Sequence, residues 1–420
     1  MTTARYLSLL IPVAALLVAA RRERERAGAA LAFIASATGL AVLHEIATAA
    51  GWWTFATVDG AYHGFPIDLW LGWAVLWGPV PVLLRRLLPL PVALGLLLWI
   101  DAIAMPALDP LLRLGPHWLL GEALGLIAVA LPAQLLGRWT ATRSRLMARV
   151  LLQVGLFGVL LLWLIPSVAF TLGDGSWDRL LDAPLFLLGQ LAFLLAVPAL
   201  AAVREFALRG GGTPFPWDPP VRLVTTGVYA YLANPMQLSA ISLLLLMAAA
   251  ARSLSLAVAA IIAGAFAGGL AAASEHHDLL ARYEGQYRSY RAQVRDWWPR
   301  TRPSTRTPGS ARLWLDDDCG PCSGVRDLLL RSSPVGLTIL PASSFDGPVL
   351  WRARYEADDG HVASGVAAVA RGLGHGTVLQ AYAGWLLILP GLNQSAQLVV
   401  DALIAPPHPA GAVTVGKNGR

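Results

Sequence analysis

The sequence predicts a polytopic α-helical membrane protein that ends in a small α/β domain outside the membrane. Hydrophobic residues make up 56% of its 420 residues and charged residues only 14%, and the mean hydropathy is +0.57. A soluble protein of this length would carry about 25% charged residues. Apolar stretches recur up to about residue 274, and the composition becomes that of a soluble domain after a Pro/Ser/Thr/Arg-rich segment at 299–311.

Nine apolar stretches account for the membrane part, since one crossing of a bilayer takes about 20 residues. The first stretch is short, and Pro106 interrupts the fourth. An arginine cluster directly follows the first stretch, which favours a retained helix over a cleaved signal peptide. The predicted spans lie near 5–20, 28–50, 67–84, 87–108, 117–137, 149–172, 181–203, 230–250 and 253–274.

The arginines predict how these spans are oriented. Arginines cluster after the first, third, fifth, seventh and ninth stretches, and the other loops contain almost none. Loops rich in arginine stay on the cytoplasmic side. We therefore expect a protein of the cell (inner) membrane with its N-terminus outside and everything after about residue 275 in the cytoplasm. The same spacing argues against a nucleic-acid partner despite the net charge of +6, because the arginines do not form one basic face.

Composition and spacing divide the chain into segments. The soluble segment contains two short β patterns around a helical one, then a hairpin pattern and three apolar helical patterns. Its length of about 95 residues suffices for an independent domain. The predicted segments are an N-terminal membrane domain at 1–145, a second membrane domain at 146–300, a linker at 299–311, a soluble domain at 312–405 and a disordered tail at 406–420.

Two motifs flank the last two predicted spans. GVYAYLANP at 227–235 enters the eighth span, and EHHDLLARYEGQYRSYRAQVRDWWPR at 275–300 follows the ninth. They resemble the G-P-Y-x-x-x-R-[HN]-P-x-Y motif and the E-E-x-x-L…F-G-x-x-Y-x-x-Y…V-x-R-[WF]-x-P tail of the isoprenylcysteine carboxyl methyltransferase and phospholipid N-methyltransferase superfamily. The resemblance covers about residues 150–300.

This resemblance implies a site for S-adenosylmethionine on the cytoplasmic side and a lipophilic or membrane-lipid acceptor that enters from the bilayer. Tyrosine rings would stabilise the sulfonium by cation–π contact. Glu275 would bind the amino or hydroxyl groups of the cosubstrate, and Arg288, Arg291 or Arg295 its carboxylate. The cosubstrate-binding residues implied are Gly227, Tyr229, Asn234, Pro235, Glu275, His276, Tyr287 and Tyr290.

The chain departs from the family pattern at four positions. Ala233 stands where the family has Arg, Gln237 where it has Tyr, His276 where it has a second Glu, and Val228 where it has Pro. The chain therefore either binds the cosubstrate in an altered way, or has lost this binding and kept only the fold. Without the resemblance, Asn234 and Pro235 would simply start a helix, and the aromatic residues of the tail would form an interfacial belt.

A cysteine pair opens the soluble segment in LWLDDDCGPC, where a predicted strand ends and a predicted helix begins. A cysteine at a helix N-terminus has a favoured thiolate. Asp316, Cys319 and Cys322 resemble the D-x-x-C-x-x-C motif of the DCC family of thiol–disulfide oxidoreductases, over about residues 312–405. The resemblance implies a thioredoxin-like fold, a catalytic role for these three residues and a thiol or disulfide protein partner. In the cytoplasm the pair would be a reduced dithiol. Two alternatives are half of a zinc site, completed by His361 or His375, and an inert pair of cysteines.

No motif predicts a metal site in the N-terminal membrane domain, but polar residues interrupt its apolar stretches. Carboxyl groups inside a membrane are costly, and they mark functional sites by default. The predicted topology puts His44, Glu45, Asp101 and Glu122 in the outer half of the bilayer, and we call them the outer cluster. This cluster could bind a metal, relay protons or hold a lipid headgroup, whereas Asp68 and His117 fit helix ends in water.

Together the motifs predict an enzyme that transfers a methyl group from S-adenosylmethionine to a lipophilic or membrane-bound acceptor. The dithiol would be coupled to this activity or regulate it. The alternative is a membrane-anchored thiol–disulfide oxidoreductase whose methyltransferase-like part is a scaffold that is not catalytic. A third possibility is a non-enzymatic assembly factor that holds a lipid or metal through the outer polar cluster.

Overall fold

A computed structural model describes residues 2–21, 23, 26–218, 220–304, 310–316 and 318–409, without the side chains of 270–272, 274 and 275. Parts of the predicted linker (305–309) and tail (410–420) lie outside the described residues. The chain forms two compact units. The first comprises Met1–Ala183, Gly211–Pro219 and Met247–Ala259, and the second Pro184–Gly210, Pro220–Leu246 and Ala260–Arg420.

Helices dominate both units, as the sequence predicts. Within the described ranges, six of them are long and apolar enough to cross a membrane: Thr2–Ala20, Ala27–Ala49, Leu90–Ala107, Trp118–Ala141, Leu146–Leu172 and Leu185–Gly210. Pro106 lies one residue before the end of its helix, so it does not divide that span. Three shorter apolar helices coincide with the other predicted spans: Ile67–Leu83, Pro235–Ala251 and Leu254–Gly269.

The first unit is built around the helix Ala27–Ala49, which packs against Ile67–Trp77 and Leu131–Ala141. Glycine permits one of these close approaches, because a Cβ atom on Gly28 would lie 2.2 Å from the carbonyl oxygen of Gly137. Short antiparallel strands join the helices at one end. They are β1 (Trp53–Phe55) paired with β4 (Leu112–Leu114), and β2 (Ala61–Tyr62) paired with β3 (Phe65–Pro66).

The second unit contains the helix Leu185–Gly210, a 3₁₀ turn at Gly227–Ala230, the helix Ala272–Arg291 and a four-stranded sheet. The predicted strands and hairpin of the soluble segment are confirmed. The strands are β5 (Ala311–Leu315), β6 (Leu337–Pro341), β7 (Arg354–Ala357) and β8 (Val362–Ser364), in the order β6-β5-β7-β8. Strands β5 and β6 are parallel, and the other pairs are antiparallel. The surrounding helices are Gly320–Arg331, Val366–Leu373, Val378–Leu387 and Leu392–Val399, the last continued by a π-helical turn to Ile404.

Buried polar contacts join this sheet region to the membrane helix of the same unit. Arg371 forms a 2.6 Å ion pair with Glu205, and both side chains are more than nine-tenths buried. The fully buried Tyr231 donates its hydroxyl to the carbonyl oxygens of Gly374 and Gly376 at 3.1 and 3.0 Å. The segment that carries the GVYAYLANP motif is thus fixed directly to the cysteine-containing region.

Candidate functional site

A cavity of about 330 Å³ in the second unit brings the two sequence motifs together. It lies between the segment 220–234, the helix Ala272–Arg291 and Asp296, which follows this helix. We call it the motif cavity. Five of the predicted cosubstrate residues line it: Tyr229, Asn234, His276, Tyr287 and Tyr290.

The tyrosines hold the two motifs together. The Tyr290 hydroxyl donates to the backbone carbonyl of Tyr229 at 2.9 Å, and both residues are buried. The Tyr287 hydroxyl lies 3.2 Å from Nδ1 of His276, with the two rings edge to face at 5.4 Å. The wall of the cavity is therefore aromatic and fixed by hydrogen bonds.

Charged and amide groups form the polar end of the motif cavity around Asp296. Asn234 donates its amide to one carboxylate oxygen at 3.1 Å, and Arg291 donates to the other at 2.6 Å. Burial lowers the pKa of Arg291, but the hydrogen bond to Asp296 and the charges of Asp296, Tyr287 and Tyr290 together raise it above its usual value. The guanidinium therefore stays charged in the cavity.

Backbone hydrogen bonds fix this polar end. The amide N–H of Ala233 donates to the carbonyl of Arg295 at 3.0 Å, and that of Asn234 donates to Asp296 at 3.3 Å. The chain after helix Ala272–Arg291 therefore runs alongside the residues that precede Pro235. This pairing brings Asp296 and Asn234 to the same place.

Three other predicted residues do not contribute described side chains to the motif cavity. Gly227 adopts φ +61°, and a Cβ atom there would lie 3.0 Å from Cδ of Glu205. It lines a separate cavity of about 140 Å³ together with Arg371, so its observed role is conformational. Pro235 is the first residue of helix Pro235–Ala251. Glu275 lies within helix Ala272–Arg291, and its side chain lies outside the described residues.

Sequence reasoning missed Asp296, the centre of the polar end, and the apolar contribution of Phe206, whose ring lies 5.7 Å from that of Tyr229. A signal for Asp296 existed, because it is the single acidic residue between 285 and 300. Phe206 had no comparable signal, since it lies at the end of a long apolar span.

The cysteine pair lies where the sequence predicts, at the start of helix Gly320–Arg331 after β5. Both cysteines are free thiols, Cys319 being buried and Cys322 half-buried. Cys319 is the N-cap residue, and its carbonyl accepts from the N–H of Ser323 at 3.0 Å. Burial, followed by a hydrogen bond to Cys319, raises the pKa of Cys322 to about 12.

Asp316 lies beside the thiols. Its backbone hydrogen-bonds Cys322, and its carboxylate lies 2.5 Å from Nε2 of His408. A hydrogen bond to the carbonyl of Pro406, together with the charge of Asp316, raises the pKa of His408. The sequence did not predict this contact, because His408 belongs to the predicted disordered tail.

The thiols open into a mainly apolar cavity of about 250 Å³, which we call the dithiol cavity. One wall is the helix Leu392–Ile404, which presents Ala396, Val400 and Ile404 to the cavity. Side chains on other positions of this helix are exposed and apolar, including Leu398 and Leu403. Further lining residues are Pro321, Val325, Trp351, Val366, Val369 and Leu387.

No group of three His, Cys, Asp or Glu side chains that could hold a metal ion occurs within the described residues. His375, considered above as a zinc ligand, bonds the carbonyl of Val335 at 2.8 Å and the hydroxyl of Tyr355 at 2.9 Å.

The outer cluster of the first unit is also divided. Glu45 lies 2.6 Å from Nδ1 of His63 at the exposed end of the unit. Asp101 and Glu122 are instead buried and hydrogen-bonded to each other, and Glu122 shares a small cavity with His44.

Comparison with known proteins returns no match: no protein-family model, no curated protein and no solved structure matches this chain.

Proposed function

We propose that the protein transfers a methyl group from S-adenosylmethionine to a lipophilic or membrane-bound acceptor, and that the motif cavity holds the cosubstrate. One observation carries the proposal. Tyr229 and Asn234 from the first motif line the same cavity as His276, Tyr287 and Tyr290 from the second. Its volume of about 330 Å³ lies within the range of roughly 300–1,000 Å³ typical of small-molecule sites.

The donor set fits the chemical groups of S-adenosylmethionine. Arg291 and Asp296 line the cavity. Arg291 would bind the carboxylate, and Asp296 would accept from the amino group or from a ribose hydroxyl. The faces of Tyr229 and Tyr287 would stabilise a sulfonium by cation–π attraction. When bound, S-adenosylmethionine supplies an electrophilic methyl group, so these residues act by binding, by orientation and by exclusion of water rather than by acid–base catalysis.

Arg291 also offers an explanation for Ala233, one of the four positions at which the chain differs from the family pattern. The family places an arginine at that position, and Ala233 and Arg291 line the same cavity. An arginine supplied by the second motif would replace the cation missing from the first. On this account the substitution alters cosubstrate binding without abolishing it.

Binding of S-adenosylmethionine to the purified protein in lipid nanodiscs tests the proposal. We expect calorimetry to detect binding by the wild type and a dissociation constant roughly 10- to 100-fold higher for Arg291→Gln, since charge-assisted hydrogen bonds contribute about 1.5–3 kcal/mol. Arg288→Gln is the matched control, because Arg288 lies on the same helix with its side chain 69% exposed. No binding by the wild type would refute the cosubstrate site.

A second candidate function is thiol–disulfide exchange at the dithiol cavity, either beside the methyl transfer or with the methyltransferase-like part as a scaffold. It is favoured by the free pair Cys319 and Cys322 at the start of a helix, with Asp316 beside it. The dithiol would give two electrons and two protons to a partner's disulfide and become a disulfide itself. Cys319→Ser should abolish disulfide reduction and leave S-adenosylmethionine binding intact.

For the fold, we propose nine spans and a thioredoxin-like domain at 312–405. The three shorter apolar helices would bring the six long ones to nine, which requires local adjustment of the bilayer. Two parallel strands on either side of a CGPC helix, followed by an antiparallel hairpin, support the thioredoxin-like arrangement.

For the orientation, we propose that the arginine-rich loops face the cytoplasm of a cell with an inner membrane. In the first unit these loops meet at one end. Arg85, after the third predicted span, pairs with Glu23, after the first, at 2.9 Å. Arg138, after the fifth, donates to the carbonyl of Leu88 at 2.8 Å. This proximity of the arginine-rich loops supports the proposal that they lie on one side of the membrane.

A further inference from the structure

A pair of buried carboxyl groups lies inside the first unit. Asp101, on helix Leu90–Ala107, is fully buried, and Glu122, on helix Trp118–Ala141, is 2% exposed. The two carboxyl groups hydrogen-bond each other. Two ionised carboxylates have no proton to donate, so this contact requires one proton on the pair.

Two tryptophans determine which of the carboxyl groups is ionised. The indole N–H of Trp73 donates to Oδ1 of Asp101 at 3.2 Å, and that of Trp77 donates to Oδ2 at 2.9 Å. Both oxygens of Asp101 therefore accept hydrogen bonds, which stabilises its negative charge. Glu122 receives no such donors within the described chain, so it is the member that carries the proton and donates it to Asp101.

Glu122 and His44 each have a buried polar atom that no described donor reaches. These atoms are Oε1 of Glu122 and Nδ1 of His44. Glu122 and His44 line one cavity of about 10 Å³, enclosed by aromatic side chains that include Trp53 and Phe65. A cavity of this size is about the smallest that holds a single water molecule.

The tautomer of His44 follows from its other ring nitrogen. Nε2 lies 2.9 Å from the backbone carbonyl of His63, and a carbonyl can only accept, so Nε2 carries a hydrogen. In neutral His44, Nδ1 is therefore a lone-pair acceptor that faces the cavity shared with Glu122. The ring is held in place by stacking on Phe65 at 4.8 Å.

The other titratable groups of the surrounding elements are already paired elsewhere. Glu45, on the helix of His44, bonds His63, and Asp68, on the helix of Trp73, bonds Arg5 at 2.6 Å. In the described part of the chain, no arginine forms an ion pair with Asp101 or Glu122. The pair thus carries one negative charge, because one of its two carboxyl groups is protonated, and neutral indole N–H groups stabilise that charge.

We propose that Asp101 and Glu122 form an intramembrane proton-binding site that exchanges its proton with His44 through one water molecule in the shared cavity. In the resting state Asp101 is ionised, Glu122 is protonated and His44 is neutral. In the transfer, the O–H bond of Glu122 and its hydrogen bond to Asp101 break. The cavity water accepts this proton and gives one of its own to Nδ1 of His44, which becomes an imidazolium while both carboxylates are ionised. The total charge of the three groups stays at minus one, so the step moves a proton without separating net charge from the site.

Infrared spectroscopy of the wild-type protein in nanodiscs tests this site. We expect a carbonyl stretching band of a protonated carboxyl group at neutral pH, which shifts to lower frequency in D₂O. Incorporation of glutamate labelled with ¹³C at its side-chain carboxyl should also shift the band, whereas labelled aspartate should not. This comparison needs no mutation, so it stands even where a variant fails to fold.

Variants then separate the roles of the residues. Glu122→Gln should remove the band, and the matched control Glu45→Gln should leave it, because the Glu45 side chain is 40% exposed. His44→Phe should keep the band but slow its exchange with D₂O. Absence of a protonated-carboxyl band in the wild type would overturn the proposal, as would a band insensitive to glutamate labelling or exchange unaffected by His44→Phe.

Discussion

At the scale of single residues, Asp296 and Arg291 determine what the motif cavity can bind. Asp296 accepts from both Asn234 and Arg291, so each group of the polar end depends on it for orientation. Arg291 keeps a full charge there, in a cavity whose other walls are aromatic and aliphatic. A ligand that carries a carboxylate, an amino group and a cationic centre matches this arrangement better than an uncharged lipid does.

The cysteine pair yields a prediction about pH. Because the pKa of Cys322 is raised to about 12, this sulfur remains a protonated thiol throughout the neutral range. Alkylation of Cys322 by iodoacetamide in the reduced protein should be slow at neutral pH and should accelerate as the pH rises toward the pKa. Peptide mass spectrometry after timed alkylation measures this rate at each sulfur separately.

Cys319→Ser supplies the control for that prediction. The substitution removes the sulfur whose hydrogen bond and charge help to raise the pKa of Cys322. Cys322 should then react at a lower pH than in the wild type. Rapid alkylation of Cys322 at neutral pH in the wild type would contradict the account.

At the scale of elements, the end of helix Leu185–Gly210 connects the membrane part of the second unit to its sheet. Glu205 accepts from Thr226 at 2.6 Å and pairs with Arg371 and Arg209 at 2.6 and 3.0 Å. Gly227 approaches the same carboxylate with a backbone that an L side chain rarely adopts. One buried carboxylate thus fixes the helix end, the segment before the motif and the helix Val366–Leu373.

Replacement of Glu205 should therefore destabilise the second unit strongly. Glu205→Gln leaves the buried Arg371 without its carboxylate, and removal of one partner of a buried pair costs about 3–5 kcal/mol. We expect a clear drop in the thermal unfolding midpoint. The comparison variant is Asp359→Asn, since the Asp359 side chain, which pairs with Arg209, is 41% exposed and such pairs contribute about 0–1 kcal/mol. Equal midpoints for the two variants would contradict this interpretation of Glu205.

At the scale of the whole molecule, composition and periodicity predicted the helical membrane protein and the elements of its C-terminal region. Apolar length alone located the apolar helices, six of which are long enough to cross a bilayer. The short apolar run in ARLWL and the helical pattern after Cys319 located β5 and the helix Gly320–Arg331. These features are local, so a single sequence can reveal them.

The features that sequence did not predict depend on distant residues. Glu205 and Arg371 are 166 positions apart, and Asn234 and Asp296 are 62 apart. The two compact units also alternate along the chain. Gly211–Pro219 belongs to the first unit, whereas the segments before and after it belong to the second. In the first unit, Asp218 of this segment forms a buried ion pair with Arg149. Pairings of this kind leave no periodic trace in a single sequence.

Methyl transfer itself tests the central claim most directly. The protein would be reconstituted with lipids and proteins extracted from the membranes of its own source and supplied with S-adenosylmethionine labelled in the methyl group. We expect label in a lipophilic product with the wild type and with Arg288→Gln, and much less with Arg291→Gln. Wild-type protein that binds S-adenosylmethionine yet transfers no more label than a protein-free control would contradict the account.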